Sequence, residues 1–221
     1  MKKMLLLLTM VLISITVDAQ EYSFKRHELG FKVGFGDPIA GKRMNDFEDE
    51  MTASNVLKDF ADDDADDFGQ VTASLDYHYH LSRRVAVGLE TGWSYNSYGI
   101  YTNEWIGYLL PDVPHESVEN HHATFTSRAF FVAPSVKYQW YETDNQLFRF
   151  YSRLAVGALR QHLTFKPHGM EGVERVDRTR WRCAPHVVFA GVEFGHQFIR
   201  LYSELGYGTQ GIFTTGFKIT L

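Results

Sequence analysis

The chain reads as an all-β protein, an eight-stranded antiparallel up-and-down transmembrane β-barrel with a polar lumen, and three observations predict it. The first is alternation: Phe213, Thr215, Phe217, Ile219 and Leu221 interleave with Thr214, Gly216, Lys218 and Thr220. Seven earlier segments repeat that period of two, which a strand with unlike faces requires. The second is a secretory leader, with Lys2 and Lys3 ahead of an apolar stretch from Met4 to Val17 and a small-residue site, Val17-Asp18-Ala19, before Gln20. The third is a regular exchange of long and short connections.

The leader predicts a signal peptide over 1–19 and a single barrel domain over 20–221. No later segment has the roughly 18 apolar residues of a helical span, so an integral chain must cross as strands. Cys183 is the only cysteine, which excludes an intramolecular disulfide. A net charge of −5 gives no reason to expect nucleic acid as a partner. Mean hydropathy of −0.25 suits a barrel whose strands turn one face to a polar lumen.

In chain order, the first strand is expected over about His27 to Asp37, with Leu29, Phe31, Val33 and Phe35 outward. The second, near Gln70 to Leu81, turns Val71, Ala73, Leu75, Tyr77 and Tyr79 outward and Thr72, Ser74, Asp76, His78 and His80 inward. Ser82-Arg83 reverses the chain into a third strand with Val85, Val87, Leu89, Trp93 and Tyr95 outside. The fourth carries Phe130, Val132, Pro134, Val136, Tyr138 and Trp140 outside. After the turn Thr143-Asp144-Asn145, the fifth carries Phe148, Phe150, Leu154 and Val156. Val188, Ala190, Val192 and Phe194 mark the sixth strand, and Leu201, Leu205 and Tyr207 the seventh. Long connections are expected near Pro38 to Gly69, Ser97 to Thr126 and Leu163 to Arg180. Short periplasmic turns and long extracellular loops produce that asymmetry, which puts both termini in the periplasm. The aromatic residues fall into two girdles, with Trp93, Tyr95 and Phe130 toward the long loops and Tyr77, Tyr138 and Trp140 toward the short turns.

Inward parity gives a lumen census. Glu28, Asp76, Glu90, Glu193 and Glu204 face Lys32, Lys137, Arg149, Arg153 and Lys218. An eight-stranded barrel is only wide enough for side chains to fill, so a closed ion network is expected, with the ten residues in a structural role. Hairpin register sets Asp76 near Glu90 and Glu193 near Glu204, with Arg153 facing Glu193 and Lys218 reaching Glu204. A general acid/base dyad is the competing reading of those carboxylate pairs. Parity alone leaves a soluble lipocalin-like barrel, with the faces exchanged, as the other fold.

Asp62, Asp64 and Asp66 lie in an acidic run that is a weak candidate for a hard cation, but the run lacks the glycine and closing glutamate of an EF-hand loop. A solvated, self-repelling loop is the favoured reading. His115, His121 and His122 lack metal-ligand order, and no metal or cofactor is expected. His80-Leu81-Ser82 with Glu90 loosely suggests barrel enzymes that deacylate lipid A, yet it sits at a short turn. Catalytic residues are therefore not assigned.

Four stretches carry a family resemblance: Leu29-Gly30-Phe31-Lys32-Val33-Gly34, Ala133-Pro134-Ser135-Val136-Lys137-Tyr138, Tyr151-Ser152-Arg153-Leu154-Ala155-Val156-Gly157 and Phe189-Ala190-Gly191-Val192-Glu193-Phe194-Gly195. With them the chain resembles the small outer-membrane β-barrel proteins of the OmpA/OmpX-like porin family over nearly all of its mature length. These motifs specify architecture, not activity. Family members usually end on an aromatic residue, whereas this chain ends on Leu221, with Phe213 and Phe217 keeping the alternation. The resemblance implies a monomer in the outer membrane of a Gram-negative bacterium, in contact with outer-membrane lipid and with the barrel-assembly machinery during insertion. Its long loops are the expected place for an extracellular ligand. A structural or surface-interaction role without enzymatic activity is the leading expectation, ahead of an enzyme acting on outer-membrane lipid and a narrow solute pore.

Overall fold

The computed structural model describes residues 26–36, 46–47, 65–106, 116–168, 174–196 and 198–221, with backbone alone at 65–70, 98, 100–106 and 116–122. Eight strands follow in order: β1 (His27–Phe35), β2 (Ala65–His80), β3 (Val85–Ile106), β4 (Glu116–Glu142), β5 (Phe148–Pro167), β6 (Val176–Gly195), β7 (Ile199–Gly208) and β8 (Phe213–Thr220). Each pairs antiparallel with its sequence neighbour, and β8 pairs with β1 to close the barrel. Closure removes both sheet edges, so every strand has a backbone partner on each side. The seam runs from Glu28 opposite Thr220 to Phe35 opposite Phe213, tied at its lower end by the Leu221 N–H donating to the His27 carbonyl at 2.8 Å. Both ends of the described chain thus lie with the short turns.

Outward positions settle which face is which. Leu29, Leu75, Leu89, Phe130, Val136, Leu154, Leu201 and Phe217 are all exposed, while Glu28, Lys32, Glu90, Lys137 and Glu193 are buried. Water would penalise both choices, since it disfavours a broad apolar surface and rewards exposed charge. Lipid reverses both, so the chain is a transmembrane barrel and the soluble alternative fails. On β4 the outward apolar set runs from Phe130 to Trp140. Roughly ten residue steps of ~3.4 Å, tilted by ~40°, give a band of about 26 Å, the height such barrels present to a bilayer.

The long connections are shorter than expected, because strands occupy much of them. β3 and β4 continue to Ile106 and back from Glu116, β5 and β6 to Pro167 and back from Val176, and β2 starts at Ala65. Above Phe130 the faces exchange polarity: Phe125, Leu163 and Phe165 are buried, whereas Arg128, Arg160 and Lys166 point out and are exposed. Outside the bilayer the outward face meets water, so an apolar outward stripe no longer marks the strand. That is why the expectation stopped near the membrane boundary.

β6 also departs from its expected parity. The β6 register against β7 shifts between Val188 and Ala190, and against β5 between Tyr151 and Arg153. A bulge of this kind inserts one residue and flips the faces beyond it. Val188, expected outside, is therefore buried, and Phe189 is exposed.

Candidate functional site

The lumen holds two charged clusters, one above the other. In the lower cluster the Lys137 ammonium donates to Glu28 at 2.8 Å and to Glu193 at 2.7 Å, bridging β1 and β6 from β4. Lys218 adds a bond to Glu193 at 2.9 Å, and Arg149 donates to Glu28 at 3.2 Å and to Glu142 at 2.6 Å. His80 Nε2 lies 3.0 Å from Glu28. In the upper cluster Arg153 bridges Glu90 and Glu204, the latter at 2.6 Å, and Lys32 donates to Glu90 at 3.2 Å. Asp76 accepts from the Tyr202 hydroxyl at 3.1 Å, and Lys32 lies 4.0 Å from it.

Each cluster thus pairs two carboxylates through a shared cation, an arrangement that lets charge sit away from water. Neutral groups complete the coordination: Tyr151 and Thr214 donate to Glu204 at 2.6 and 2.8 Å, and Gln210 donates to Glu90. Tyr151 also joins the two levels, since Lys137 and Lys218 sit 4.7 and 4.8 Å from its ring centre. Gly191 leaves the space that this ring fills; a Cβ there would lie 2.4 Å from Tyr151 Cζ.

Asp76 does pair across the hairpin with Glu90. The second expected pair does not form. Glu193 lies opposite Tyr202 and Glu204 opposite Gly191, so the two carboxylates belong to different clusters. Arg153 accordingly meets Glu204 and not Glu193, while Lys218 meets Glu193 and not Glu204. The β6–β7 turn is the cause, since Gly195 pairs with Arg200 and that register carries unbroken to Glu193 opposite Tyr202 and Gly191 opposite Glu204.

Several lumen residues escaped the sequence reading. Arg200 is buried and donates to the Gln146 carbonyl at 2.8 Å; its inward parity with Glu204 on one strand was the available signal. Tyr151 and Tyr202 share the inward parity of Arg153 and Glu204, which was the available signal, but the lumen census counted only charged residues. Phe47 came from a segment with no strand pattern. It is 1 % exposed, packs edge-on to Phe125 at 5.8 Å and lies beneath the Arg178 guanidinium at 6.0 Å. With Phe125, Leu163 and Phe165 it forms an apolar storey above the charged ones.

Ser135, His78 and Asp76 come together as no sequence pattern announced. Ser135 Oγ is 3.1 Å from His78 Nε2, and His78 Nδ1 is 3.2 Å from Asp76 Oδ2. A nucleophilic triad needs the second contact to be an orienting hydrogen bond. That contact is close enough to be one, but a triad must also open its serine to a substrate, and Ser135 is 4 % exposed. The arrangement holds a buried serine and histidine in place without presenting a nucleophile to a substrate.

At the short turn, Ser82 Oγ accepts the Arg84 and Val85 N–H groups at 3.2 and 3.1 Å, so this serine builds the turn. Asp62 and Asp64 lie outside the described residues, as does His115, and Asp66 is placed by its backbone alone, opposite Gly99. Among the described residues no group of histidine, cysteine and carboxylate side chains could hold a metal ion.

No protein-family model matches the chain, and no curated protein matches it. Among solved structures it is similar to Ail, the attachment invasion locus protein of Yersinia pestis, in complex with the heparin analogue sucrose octasulfate. That match has 11 % identity over 88 % of this chain and 95 % of the other, with a TM-score of 0.40. The N-terminal β-barrel domain of Pseudomonas aeruginosa OprF is similar at 13 % identity, over 90 % of this chain and 98 % of the other, with a TM-score of 0.39. Closed by eight antiparallel strands, with apolar side chains outside and charge within, the chain has the architecture of the OmpA/OmpX-like small outer-membrane barrels.

Proposed function

We infer that the protein is an integral outer-membrane barrel with a structural or surface-interaction role, exerted at the long-loop end. The observation that carries this reading is the lumen: its five central acids and five central bases are spent on one another, which leaves external chemistry to the loops and strand extensions. Residues 1–19 are a leader removed on export, the mature domain spans 20–221, and both termini are periplasmic. The ten charged lumen residues serve stability and closure. A lipid-modifying enzyme would need a serine, histidine and carboxylate set exposed at the rim, and the set present is buried.

The test is a pair of measurements on cells with and without the gene. Lipid A extracted from both should give the same mass spectrum; a change that depends on the gene would establish the enzyme instead. Protease added to intact cells should cut between Pro38 and Asp64, and cleavage there only after the outer membrane is opened would reverse the topology.

A further inference from the structure

On one side of the barrel the strands rise past the upper aromatic girdle, and there two arginines stand without counter-ions among the described residues. Arg128 on β4 and Arg160 on β5 both point outward and are exposed. Phe130 pairs with Arg160 and Arg128 with His162, so the two arginines are diagonal neighbours across the strand pair. Diagonal positions lie ~7–8 Å apart, and like charges that close repel unless an anion sits between them. Among the described residues neither guanidinium has an ion-pair partner. The lumen cations Lys32, Lys137, Arg149, Arg153 and Lys218, by contrast, each have a carboxylate.

Around this pair the surface is amphipathic. A shallow groove of about 190 Å³ is lined by Trp93, Phe130, Arg128, Arg160, His162 and Thr179. Trp93 and Phe130 belong to the outward apolar band, and Trp181, opposite Arg160, is 71 % exposed beside it. A second groove of about 280 Å³ continues upward along Arg128, Thr126, Thr164, Lys166 and Arg175. Among the described acids beside it, Asp177 accepts from Thr164 at 2.8 Å and pairs with Arg175 Nε at 2.8 Å. Those hydrogen bonds, Arg175 first, hold its carboxyl below the usual range, so its charge is already matched. His162 is tied to Thr179 at 2.9 Å.

We propose that Arg128 and Arg160, above Trp93, Phe130 and Trp181, form a binding site for a phosphorylated lipid of the leaflet at the long-loop end. Two guanidinium forks match phosphate oxygens in pairs, and the aromatic floor lies where acyl chains enter the bilayer. A soluble anion would gain nothing from that floor, which is why a lipid is the occupant. With the topology proposed above, the leaflet is the outer one and the lipid is lipid A.

The test uses the full-length barrel in phosphatidylcholine nanodiscs, titrated with lipid A and read by native mass spectrometry. Wild type should retain lipid A, and Arg128→Gln/Arg160→Gln should weaken it at least tenfold, with Arg128→Lys/Arg160→Lys recovering part of the loss. Lipid A stripped of its phosphates should bind at least tenfold more weakly to wild type. Equal binding by the Gln variant, equal binding of the stripped lipid, or displacement by inorganic phosphate at the concentration of the lipid would each overturn the site. Heat-modifiable migration of every variant shows that it is folded. Binding in nanodiscs does not depend on which way the barrel faces in a cell, so a reversed topology and a failed site give different results.

Discussion

At the scale of single residues, Arg153 is the side chain on which the upper cluster turns. It is buried, bridges Glu90 on β3 and Glu204 on β7, and reaches Gln210 at 3.3 Å. Removing it would leave the two carboxylates with neutral donors and with Lys32, 3.2 Å from Glu90 and 3.9 Å from Glu204. Breaking a buried pair by deleting one partner typically costs about 3 to 5 kcal/mol, most of it the desolvation of the charge left behind. Arg153→Ala should therefore lower the denaturant midpoint of the refolded barrel in detergent, with Arg153→Lys falling between. An unchanged midpoint for the alanine variant would mean that the cluster does not support the fold. The partner stranded by this change is the Glu90–Glu204 pair, not the Glu193 that hairpin counting pointed to. Inward parity was legible in the sequence because it needs only the strand period. Pairing across strands was not, because it depends on register, and a β6–β7 turn centred one residue nearer β6 than counting suggested moves Glu193 from Glu204 to Tyr202.

At the scale of elements, the strands show how far alternation can be read. Below the girdle, the bilayer demands apolar outward residues, so Leu29, Leu75, Val136 and Leu154 announce both strand and face. Above it, Phe125 and Phe165 carry the apolar pattern on the opposite face, and their rings meet inside at 5.0 Å. A reader following the outward stripe along β4 or β5 therefore loses the strand where it leaves the membrane. The β6 bulge hides in the same way, because Val188, Phe189 and Ala190 are apolar and nothing in their order says which one is extra. Cys183 distinguishes the two parities. Had Val188 faced lipid, Cys183 would face the lumen; beyond the bulge it is exposed, in line with Trp181 outside. As the only cysteine in the chain, it accepts a nitroxide label without further substitution. In liposomes that label should collide more often with dissolved oxygen, which partitions into lipid, than with a water-soluble nickel chelate. The reverse preference would place Cys183 in the lumen and remove the parity switch.

At the scale of the whole molecule, the proposed closure of the barrel rests on two storeys of different physics. The membrane-level lumen is filled by paired charges, from Glu28, Lys137 and Glu193 below to Lys32, Glu90, Arg153 and Glu204 above. Phe47, Phe125, Leu163 and Phe165 fill the storey beyond it, all buried. An ion crossing the barrel would have to break salt bridges in a space too narrow for eight strands to leave a water path beside them, and then pass an apolar constriction. Purified protein in planar bilayers should accordingly show no stable ohmic conductance. Phe47→Ala opens the upper storey alone, so it should leave the bilayer as silent as wild type. Shortening Lys137, which separates Glu28 from Glu193, opens the lower storey while Phe47 still closes the upper one, and should be silent as well. A steady current through wild type that rises in Lys137→Ala would show that ions already pass between those carboxylates, and the closed barrel would give way to a narrow pore gated by that lysine.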